Sequence, residues 1–268
     1  MFLDGRWDHK GPIVTIVGTR NASDDGWDVA YRLARDLAER GVAIVSGLAR
    51  GIDAAAHRGA LDVGGVSGAV LGTPLDTVYP PEHASLHERL RDSLGLMSEL
   101  EPGDPPMRNT FAARNRMLAA MAHAVIVVQG RAGSGALITA DAAWKLKRPV
   151  GAIPWDSRDP LGEAPHGLIR SGRAMLVRDA DDVMNLVHPG TQKEVRPTRS
   201  RRTSIDPASL SSHERTLYEA LRDIPLPMDS LTARAGLSAA DLGVALVALE
   251  LQGLAVRVPG GSAKRVRR

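Results

Sequence analysis

Short runs rich in Val and Ile alternate with longer segments in which apolar residues recur every three or four positions. The short runs have the length and composition of strands. They are Ile13–Val17, Val42–Ser46, Val66–Leu71, Val125–Val128 and Val150–Ile153. Strands that alternate with helical segments are typical of βα units, so the pattern predicts an α/β domain around a parallel sheet.

The segments between these runs have the spacing of amphipathic helices. In Asp24–Arg40, for example, Val29, Leu33 and Leu37 lie four residues apart and share one helix face. The predicted helices are Asp24–Arg40, Gly51–Leu61, Glu82–Leu94, Arg114–Ala122 and Leu137–Leu146. Open sheets of this class bind ligands at the carboxyl ends of their strands. The residues that fall at those ends are Gly18, Ser46, Gly72 and Gly130.

The pattern changes near residue 188, where Pro, Gly, Ser, Thr and Arg replace the apolar runs. We interpret 188–207 as a basic flexible linker and 208–260 as a small domain, followed by a basic tail at 261–268. The small domain has three predicted helices: Ser212–Leu221, Met228–Ala235 and Ala239–Gln252. A hairpin near Gly260 and Gly261 would complete a winged-helix-like fold, with Ser238 capping the third helix.

Charge is unevenly distributed along the chain. The formal net charge is +3, yet residues 191–205 and the last eight residues each carry a net charge of +4. Basic ends on a mildly acidic body are common in proteins that meet nucleic acid, since Lys and Arg displace condensed counterions. The third predicted helix of the small domain contains Asp241 and Glu250 but no Lys or Arg, which favours a protein partner over DNA there.

The remaining composition narrows the class of protein. The chain contains no cysteine, which excludes disulfides and thiolate zinc sites. The first eleven residues have no apolar signal region, and the longest apolar run, Met117–Val128, is interrupted by His123 and too short to span a bilayer. We therefore expect a cytoplasmic protein that has no contact with a membrane.

Several segments carry groups suited to phosphates and bases. Glycines at strand ends let backbone amides approach phosphate oxygens, and guanidinium groups bind phosphate in a forked geometry. The glycines are Gly18, Gly47, Gly51 and Gly135, and the arginines are Arg20, Arg50, Arg108, Arg114 and Arg116. Phe111, one of only two phenylalanines, lies among three of these arginines. An aromatic ring amid guanidinium groups suits the stacking of an unpaired base.

Motifs for common enzymes are absent from the sequence. It contains no G-x-x-x-x-G-K-[ST] loop, no G-x-G-x-x-G after the first strand, no H-E-x-x-H and no G-x-S-x-G. His83 and His87 lie one helical turn apart and have the spacing of a shared metal site, but a solvated helix face is the favoured interpretation. We expect no catalytic residue, no metal and no cofactor.

These segments, in this order and spacing, resemble the DNA-processing protein A family, also called DprA or Smf. The matching segments are Gly18-Thr19-Arg20, Ser46–Asp53, Tyr79-Pro80, Ser98-Glu99, Phe111–Arg116, Ser134–Ala140 and Leu168-Ile169. The resemblance implies a Rossmann-like domain at 1–187 with a mostly parallel sheet, followed by a winged-helix domain. It also implies a homodimer formed through the Rossmann-like domain, and a non-catalytic protein that binds single-stranded DNA and loads the RecA recombinase during natural transformation.

Carried over by position, the resemblance implies a DNA-binding site of fourteen residues. They are Gly18, Thr19, Arg20, Ser46, Gly47, Arg50, Gly51, Arg108, Phe111, Arg114, Asn115, Arg116, Ser134 and Gly135. A carboxylate facing phosphate is repelled, so we expect Asp53 to order Arg50 or to cap the following helix.

Two other classes of protein remain open from the residues alone. The same superfamily includes nucleotide-cleaving enzymes that resemble phosphoribohydrolases, whose glycine-rich loop carries a catalytic glutamate. The corresponding loop here, 130–141, places Thr139 near that position, and a hydroxyl cannot replace a carboxylate in general acid or base catalysis. The third class is a transcription regulator or nucleotide sensor, which would need a basic recognition helix.

Overall fold

An eight-stranded sheet organises the first part of the chain in the computed structural model, which describes residues 1–188, 210–222, 225–252, 254–258 and 261–266. The strands are β1 (Phe2–Asp4), β2 (Ile13–Val17), β3 (Ala43–Ser46), β4 (Ser67–Leu71), β5 (Gly95–Ser98), β6 (Ala124–Val127), β7 (Val150–Ala152) and β8 (Met175–Leu176). Their spatial order is β1-β5-β4-β3-β2-β6-β7-β8. All neighbours pair in parallel except β1, which runs antiparallel to β5.

The strand order reverses between β2 and β6, because β3 to β5 lie on one side of β2 and β6 to β8 lie on the other. The loops that follow β2 and β6 therefore turn away from each other and leave a crevice at the carboxyl edge of the sheet. Gly18 follows β2 and Gln129 follows β6, and the amide of Thr19 donates to the carbonyl of Gln129 at 2.8 Å.

Helices cover both faces of this sheet. They are α1 (Asp24–Ala38), α2 (Ile52–Leu61), α3 (Ala84–Asp92), α4 (Arg108–Met121), α5 (Gly135–Lys145), α6 (Glu163–Arg170) and α7 (Ala180–Val187). α1, α2 and α7 pack against Val14, Ile16 and Ile44, whereas α4 and α5 pack against Val45 and Val125 on the opposite face. The α/β fold with a mostly parallel sheet is thus confirmed.

Several predicted helices and strands have different bounds in the structure. α4 begins at Arg108 rather than Arg114, with Met107 as its cap residue, so Phe111 lies on the helix. Glu82–Leu94 divides into a 3₁₀ turn, Pro81–His83, and α3. In residues 1–188, three short strands (β1, β5 and β8) and two helices (α6 and α7) were not predicted, because segments of two to eight residues show too little periodicity.

The chain contains a second unit. Residues 189–209, which include most of the predicted linker, lie outside the described ranges, and the described part of the second unit begins at residue 210. It contains α8 (Ser212–Ala220), α9 (Met228–Ala235) and α10 (Ala239–Leu251). Its three strands, β9 (Leu226–Pro227), β10 (Ala255–Val258) and β11 (Ser262–Arg265), form an antiparallel sheet in the order β10-β11-β9. The segment of β11, expected in a basic tail, is a strand because it pairs with both neighbours. The boundaries of the linker stay a prediction.

Caps fix the ends of these helices. Ser23 accepts from the amide of Gly26 at the start of α1, and Ser238 accepts from the amide of Asp241 at the start of α10, as predicted for that serine. Gly236 ends α9 in the left-handed conformation.

Within the described ranges, no single helix is long and apolar enough to cross a membrane. α9 and α10 meet that length and composition only as a pair, which is bent by 101°.

The close packing of α1 against α2 depends on Gly59, so Gly59→Ala should destabilise the first unit. An added Cβ would lie 2.1 Å from the backbone oxygen of Tyr31, and we expect the free energy of unfolding to fall by about 1–3 kcal/mol. Gly167→Ala in α6 is the matched control, since its Cβ would meet nothing within 4 Å and the substitution should stabilise by about 0.5–1 kcal/mol. Urea denaturation followed by tryptophan fluorescence measures both, because all four tryptophans precede residue 188. Equal stability of both variants would contradict the packing argument.

Candidate nucleic-acid interface

Two adjacent pockets lie at the carboxyl edge of the sheet, at the crevice beside β2. The aromatic pocket is lined by Arg20, Asn21, Gly47, Ala49, Arg50, Leu71, Gly72, Thr73, Tyr79, Pro80, Phe111 and Arg114. The hydroxyl pocket is lined by Val17, Gly18, Thr19, Arg20, Ala49, Asp53, Arg114, Asn115, Leu118, Ser134, Gly135, Ala136 and Thr139. Arg20, Ala49 and Arg114 belong to both, so the two pockets form one continuous surface.

The aromatic pocket is built around the ring of Phe111. The guanidinium carbon of Arg20 lies 5.6 Å from the ring centroid, a cation–π geometry, and the ring of Tyr79 lies 5.6 Å away at an angle of 59°. The ring rests on Gly72, where a Cβ would lie 2.4 Å from Cδ1 of Phe111. Only a residue without a side chain allows the ring to occupy this position.

Tyr79 was not among the predicted site residues, although it was part of the matching sequence segments. Tyr79 is 46% exposed and its ring is tilted toward that of Phe111, so part of an aromatic side chain is open to solvent at this pocket. The signal in the sequence was the scarcity of aromatic residues, only 3% of the chain, which makes each exposed ring notable.

Arg114 holds the backbone around the pockets in place, because its guanidinium is bonded to carbonyls of the protein. Its side chain is buried and donates from Nη1 to the carbonyls of Gly47 and Val70, the latter at 2.8 Å. A Cβ on Gly47 would lie 2.1 Å from that nitrogen, so the glycine gives the guanidinium its room. Burial lowers the pKa of Arg114, while the nearby carboxylate of Asp53 opposes that shift.

Asp53 neither orders Arg50 nor caps α2, contrary to both roles expected for it. Its carboxylate accepts the backbone amides of Gly47 at 3.1 Å and Ala49 at 3.4 Å, and burial raises the pKa of its carboxyl group. Arg50 pairs instead with Glu82, whose pKa is lowered by that hydrogen bond, and its guanidinium stays largely exposed. The cap residue of α2 is Gly51, so Asp53 holds the preceding loop and is not the cap.

Two buried histidines fix the same loop from behind. Leu48 has a left-handed backbone, with φ of +56°, and is fully buried. Its amide donates to Nε2 of His57 at 3.3 Å, and its carbonyl accepts from Nδ1 of His83 at 3.0 Å. Nδ1 of His57 donates in turn to Oγ of Ser67 at 2.9 Å. Burial lowers the pKa of His57 to about 3, so the ring is neutral and its tautomer is set by these partners.

The buried histidines also correct the interpretation of His83 and His87 as a solvated helix face. Both side chains are buried, at 6% and 7% exposure. Nδ1 of His83 is committed to the carbonyl of Leu48. The described part of the chain contains no group of three or more His, Cys, Asp or Glu side chains placed to hold a metal ion.

The hydroxyl pocket gathers donors suited to an anion. Helix α5 begins at Gly135 and directs its free amides toward the pocket, while a Cβ on Gly135 would meet nothing within 4 Å. Ser134 has a buried Oγ without a hydrogen-bond partner among the described residues. Nδ2 of Asn115 donates to the carbonyl of Gly135 at 3.4 Å, which ties α4 to the start of α5.

Ten of the fourteen predicted site residues line these pockets: Gly18, Thr19, Arg20, Gly47, Arg50, Phe111, Arg114, Asn115, Ser134 and Gly135. Three do not. Ser46 is buried and donates to the carbonyl of Ile16 at 2.6 Å, and Gly51 holds a φ of +71° against the carbonyl of Thr19. Arg116 is exposed on α4 outside both pockets. The side chain of Arg108 lies outside what the structure describes.

The lining of the pockets bears on the nucleotide-cleaving alternative. Thr139, which the sequence comparison placed near the glutamate of such enzymes, is 1% exposed and lines the hydroxyl pocket. Asp53 is the one carboxylate among the residues that line either pocket, and it accepts two backbone amides. The described pockets therefore lack a carboxylate free to act as a general acid or base.

A family model described as DNA recombination-mediator protein A matches residues 1–188, the part of the chain that contains both pockets. This chain belongs to that family. A second model, described as the DprA winged helix domain, matches residues 202–261. The resemblance to the DprA family and the winged-helix prediction are thus confirmed.

Individual members of the DprA family align over long stretches. A putative DNA processing protein DprA of Mycobacterium tuberculosis is 40% identical over 253 residues, which cover 93% of this chain and 64% of that protein. The X-ray structure of DprA from Streptococcus pneumoniae is 40% identical, with a TM-score of 0.65, over 68% of this chain and 64% of that one. The chain thus spans just under two thirds of the length of these two relatives.

A further DprA structure, from Helicobacter pylori, is described for its unique mode of binding single-stranded DNA. It is 27% identical, with a TM-score of 0.63, over 68% of this chain and 84% of that one. The fold of about two thirds of this chain is therefore shared with these two members of the family.

The neutral state of His57 predicts an acid-sensitive fold. Its pKa is about 3 in the folded chain against 6.5 for an ordinary histidine, so the unfolded chain binds a proton first as the pH falls. The stabilising contribution is complete above pH 6.5 and is lost on acidification toward pH 3, by up to about 1.4 kcal/mol per pH unit. Between pH 6 and pH 4, wild type should lose about 2 kcal/mol more than His57→Gln, measured by urea denaturation. Equal losses in the free energy of unfolding for wild type and His57→Gln would refute this prediction.

Proposed function

We propose that this chain binds single-stranded DNA at the two pockets, with bases stacked in the aromatic pocket and phosphates bound in the hydroxyl pocket. The observation that carries the proposal is the group formed by Arg20, Tyr79 and Phe111, in which a cation and two rings meet at an open site. Aromatic stacking binds every base, so such a site is tolerant of sequence and needs unpaired bases. Duplex DNA keeps its bases stacked inside and cannot use the rings.

The hydroxyl pocket supplies the phosphate contacts in this proposal. Thr19, Ser134 and the amides at the start of α5 are donors, and Asn115 holds the loop that carries them. Because Arg20 belongs to both pockets, a base in one and a phosphate in the other can come from neighbouring nucleotides. A polynucleotide can fill both pockets at once, whereas a free phosphate can fill only the hydroxyl pocket. The single-stranded DNA described for the Helicobacter pylori relative is consistent with this assignment.

The predicted site residues take different roles in this proposal. Phe111 and the newly assigned Tyr79 contact bases, and Arg20, which lines both pockets, contacts a base and a phosphate. Gly18, Thr19, Ser134 and Gly135 line the phosphate path. Arg50 lines the aromatic pocket, and Arg116 is an exposed cation of α4 outside both pockets. The residues that shape the loops without direct contact are Ser46, Gly47, Gly51, Arg114 and Asn115. Arg108 remains a predicted phosphate contact, and the site is non-catalytic.

The site is tested by comparing oligo-dT with duplex DNA of equal length. We expect wild type to prefer oligo-dT, and Phe111→Ala or Tyr79→Ala to weaken that binding by about 1–3 kcal/mol, the usual contribution of one stacked base. Arg20→Ala should weaken binding and reduce the salt dependence by about one counterion, and the double variant with Arg108→Ala by about two. Fluorescence anisotropy at two salt concentrations measures all of these.

Arg32→Ala is the matched control for these variants. Arg32 is an exposed arginine of α1 that pairs with Asp28, four residues earlier on the same helix, and it lines neither pocket. Its removal should leave the affinity for oligo-dT almost unchanged. Equal affinity of wild type for both forms of DNA, or an unaltered double variant, would exclude the two pockets as the binding site.

We also propose that the bound chain loads the RecA recombinase onto single strands, as a cytoplasmic mediator of recombination. The support is membership of the family described as recombination mediators. The chain should accelerate RecA-dependent strand exchange on DNA coated with single-strand-binding protein, and Phe111→Ala should reduce that acceleration in proportion to its loss of DNA binding. Strand exchange at the same rate with and without the chain would exclude the loading role.

A homodimer formed through the Rossmann-like domain is the last part of the proposal. Strand β8 ends the sheet, and Met175 and Leu176 are 64% and 47% exposed there, beside Trp144 at 57%. An exposed apolar edge strand is a ready surface for a second copy. Met175→Glu should shift sedimentation from dimer to monomer, whereas Val63→Glu, an exposed substitution elsewhere, should not. A monomeric wild type would exclude this dimer.

A further inference from the structure

A small pocket, with a volume of about 140 Å³, adjoins the aromatic pocket. The residues that line this pocket, which we call the acidic pocket, are Leu71, Gly72, Glu99, Leu100, Thr110 and Ala113. Leu71 and Gly72 line the aromatic pocket as well, so the two pockets are neighbours. The acidic pocket and the hydroxyl pocket have no described lining residue in common. The acidic pocket therefore lies beside the aromatic pocket and not on the proposed phosphate path.

Helix α4 contributes side chains to both of the neighbouring pockets. Phe111 and Arg114 line the aromatic pocket, whereas Thr110 and Ala113 line the acidic pocket. The members of each pair are three residues apart, so the two pairs form adjacent rows on the surface of the helix. This spacing allows successive bases of one strand to enter the two pockets, with one base against the ring of Phe111 and the next base in the acidic pocket.

The backbone around Glu99 is fixed by the buried side chain of Ser98. Oγ of Ser98 donates to the carbonyl of Thr73 at 2.7 Å and accepts the amide of Leu100 at 3.1 Å. Thr73 lines the aromatic pocket, and Leu100 lines the acidic pocket. The hydroxyl of Ser98 thus ties the backbone on both sides of Glu99 to the aromatic pocket.

Glu99 carries the polar chemistry of the acidic pocket. It is exposed, and among the described residues that line the pocket it alone is charged. The other polar side chain there is Thr110, whose hydroxyl lies 2.8 Å from the carbonyl of Gly72 and 2.7 Å from that of Met107. The hydroxyl hydrogen is therefore already used within the protein, and the carboxylate of Glu99 is the group that a ligand would meet.

A carboxylate in this position selects for a base and against the DNA backbone. It accepts hydrogen bonds and donates none, and it repels phosphate. Cytosine offers the N4 amino group, from which the carboxylates of Glu and Asp accept in protein–DNA complexes. Thymine has the O4 oxygen at the same position of the ring, and a carboxylate repels that oxygen. The two pyrimidines therefore differ at the atom that Glu99 would contact.

The volume of the acidic pocket fits a single six-membered ring. A cavity of about 150 Å³ binds one benzene molecule, which is close to the size of this pocket. Adenine also has an exocyclic amino group, but its two fused rings need more room than a pyrimidine does. The apolar side chains of Leu71, Leu100 and Ala113 supply non-polar contacts for the ring. Size and charge together favour cytosine.

We propose that the acidic pocket binds a cytosine base of the single strand, with the N4 amino group donating to the carboxylate of Glu99. The proposal rests on the proposed function, because it adds a base site next to the rings of the aromatic pocket. Stacking in the aromatic pocket accepts every base, whereas the acidic pocket discriminates between the two pyrimidines. The chain would then bind any single strand and prefer a cytosine-rich one.

The affinities of the full-length chain for oligo-dC and oligo-dT of equal length test this proposal. Fluorescence anisotropy at neutral pH should show that wild type binds oligo-dC about tenfold more tightly, the discrimination expected of one good base contact. In Glu99→Gln this ratio should fall to about one, because the amide of glutamine can donate to O4 of thymine as well as accept from N4 of cytosine.

Glu101→Gln is the matched control for the charge. Glu101 is exposed two residues further along the chain and lines none of the three pockets. This substitution removes the same negative charge, and the ratio of the two affinities should remain about tenfold. A ratio that falls equally in both variants would mean that the preference comes from the general field of the acids, and it would overturn the contact with Glu99.

A modified oligomer tests the same contact without any variant. Its base is pyrimidin-2-one, which has the ring of cytosine without the N4 amino group. Wild type should bind it about tenfold less tightly than oligo-dC, and equal affinities would overturn the proposal. This measurement also decides the matter if Glu99→Gln is less stable than wild type, which urea denaturation would show.

The failure of this proposal is distinguishable from the failure of the proposed function. Single-stranded DNA that binds with the same ratio of affinities in wild type and Glu99→Gln would overturn the cytosine site and leave the two-pocket interface in place. A wild type that binds neither oligo-dC nor oligo-dT would overturn both.

Discussion

The backbone of the loop after β3 is held open by buried polar groups, and both pockets depend on this constraint. Asp53 accepts two amides of the loop, Arg114 donates to one of its carbonyls, and two histidines hold Leu48 in a left-handed conformation. Each of these groups is costly to bury alone, and each is tolerable because the loop satisfies it. The loop has one shape because only one shape satisfies all of them.

This constraint separates the residues that support the site from those that meet a ligand. Arg114 and Asp53 are charged residues in the region proposed to bind phosphate, yet their hydrogen bonds are made to groups of the protein itself. Arg20, Arg50 and Tyr79 are exposed, and in the proposed function they meet the DNA. Loss of a supporting residue would change the shape of the loop, whereas loss of an exposed one would remove a contact and leave the fold intact.

The sequence predicted the parts of the structure that local patterns encode. Strands such as Ile13–Val17 and the long helix α1 have clear periodicity, and the glycine and arginine residues at strand ends marked the carboxyl edge correctly. The start of α4 was missed because its first turn carries no apolar stripe. The role of Arg114 was beyond prediction, since its partners Gly47 and Val70 are 67 and 44 residues away.

The absence of a side chain at Gly72 has a consequence for how this surface can vary. The ring of Phe111 rests directly on the backbone of Gly72, so this backbone determines the position of the ring in the pocket. A methyl group at position 72 would displace the ring from this position, while the side chains of the other lining residues would stay the same. The position of an aromatic ring in the pocket is thus set by a backbone contact, at a lining residue that has no side chain of its own.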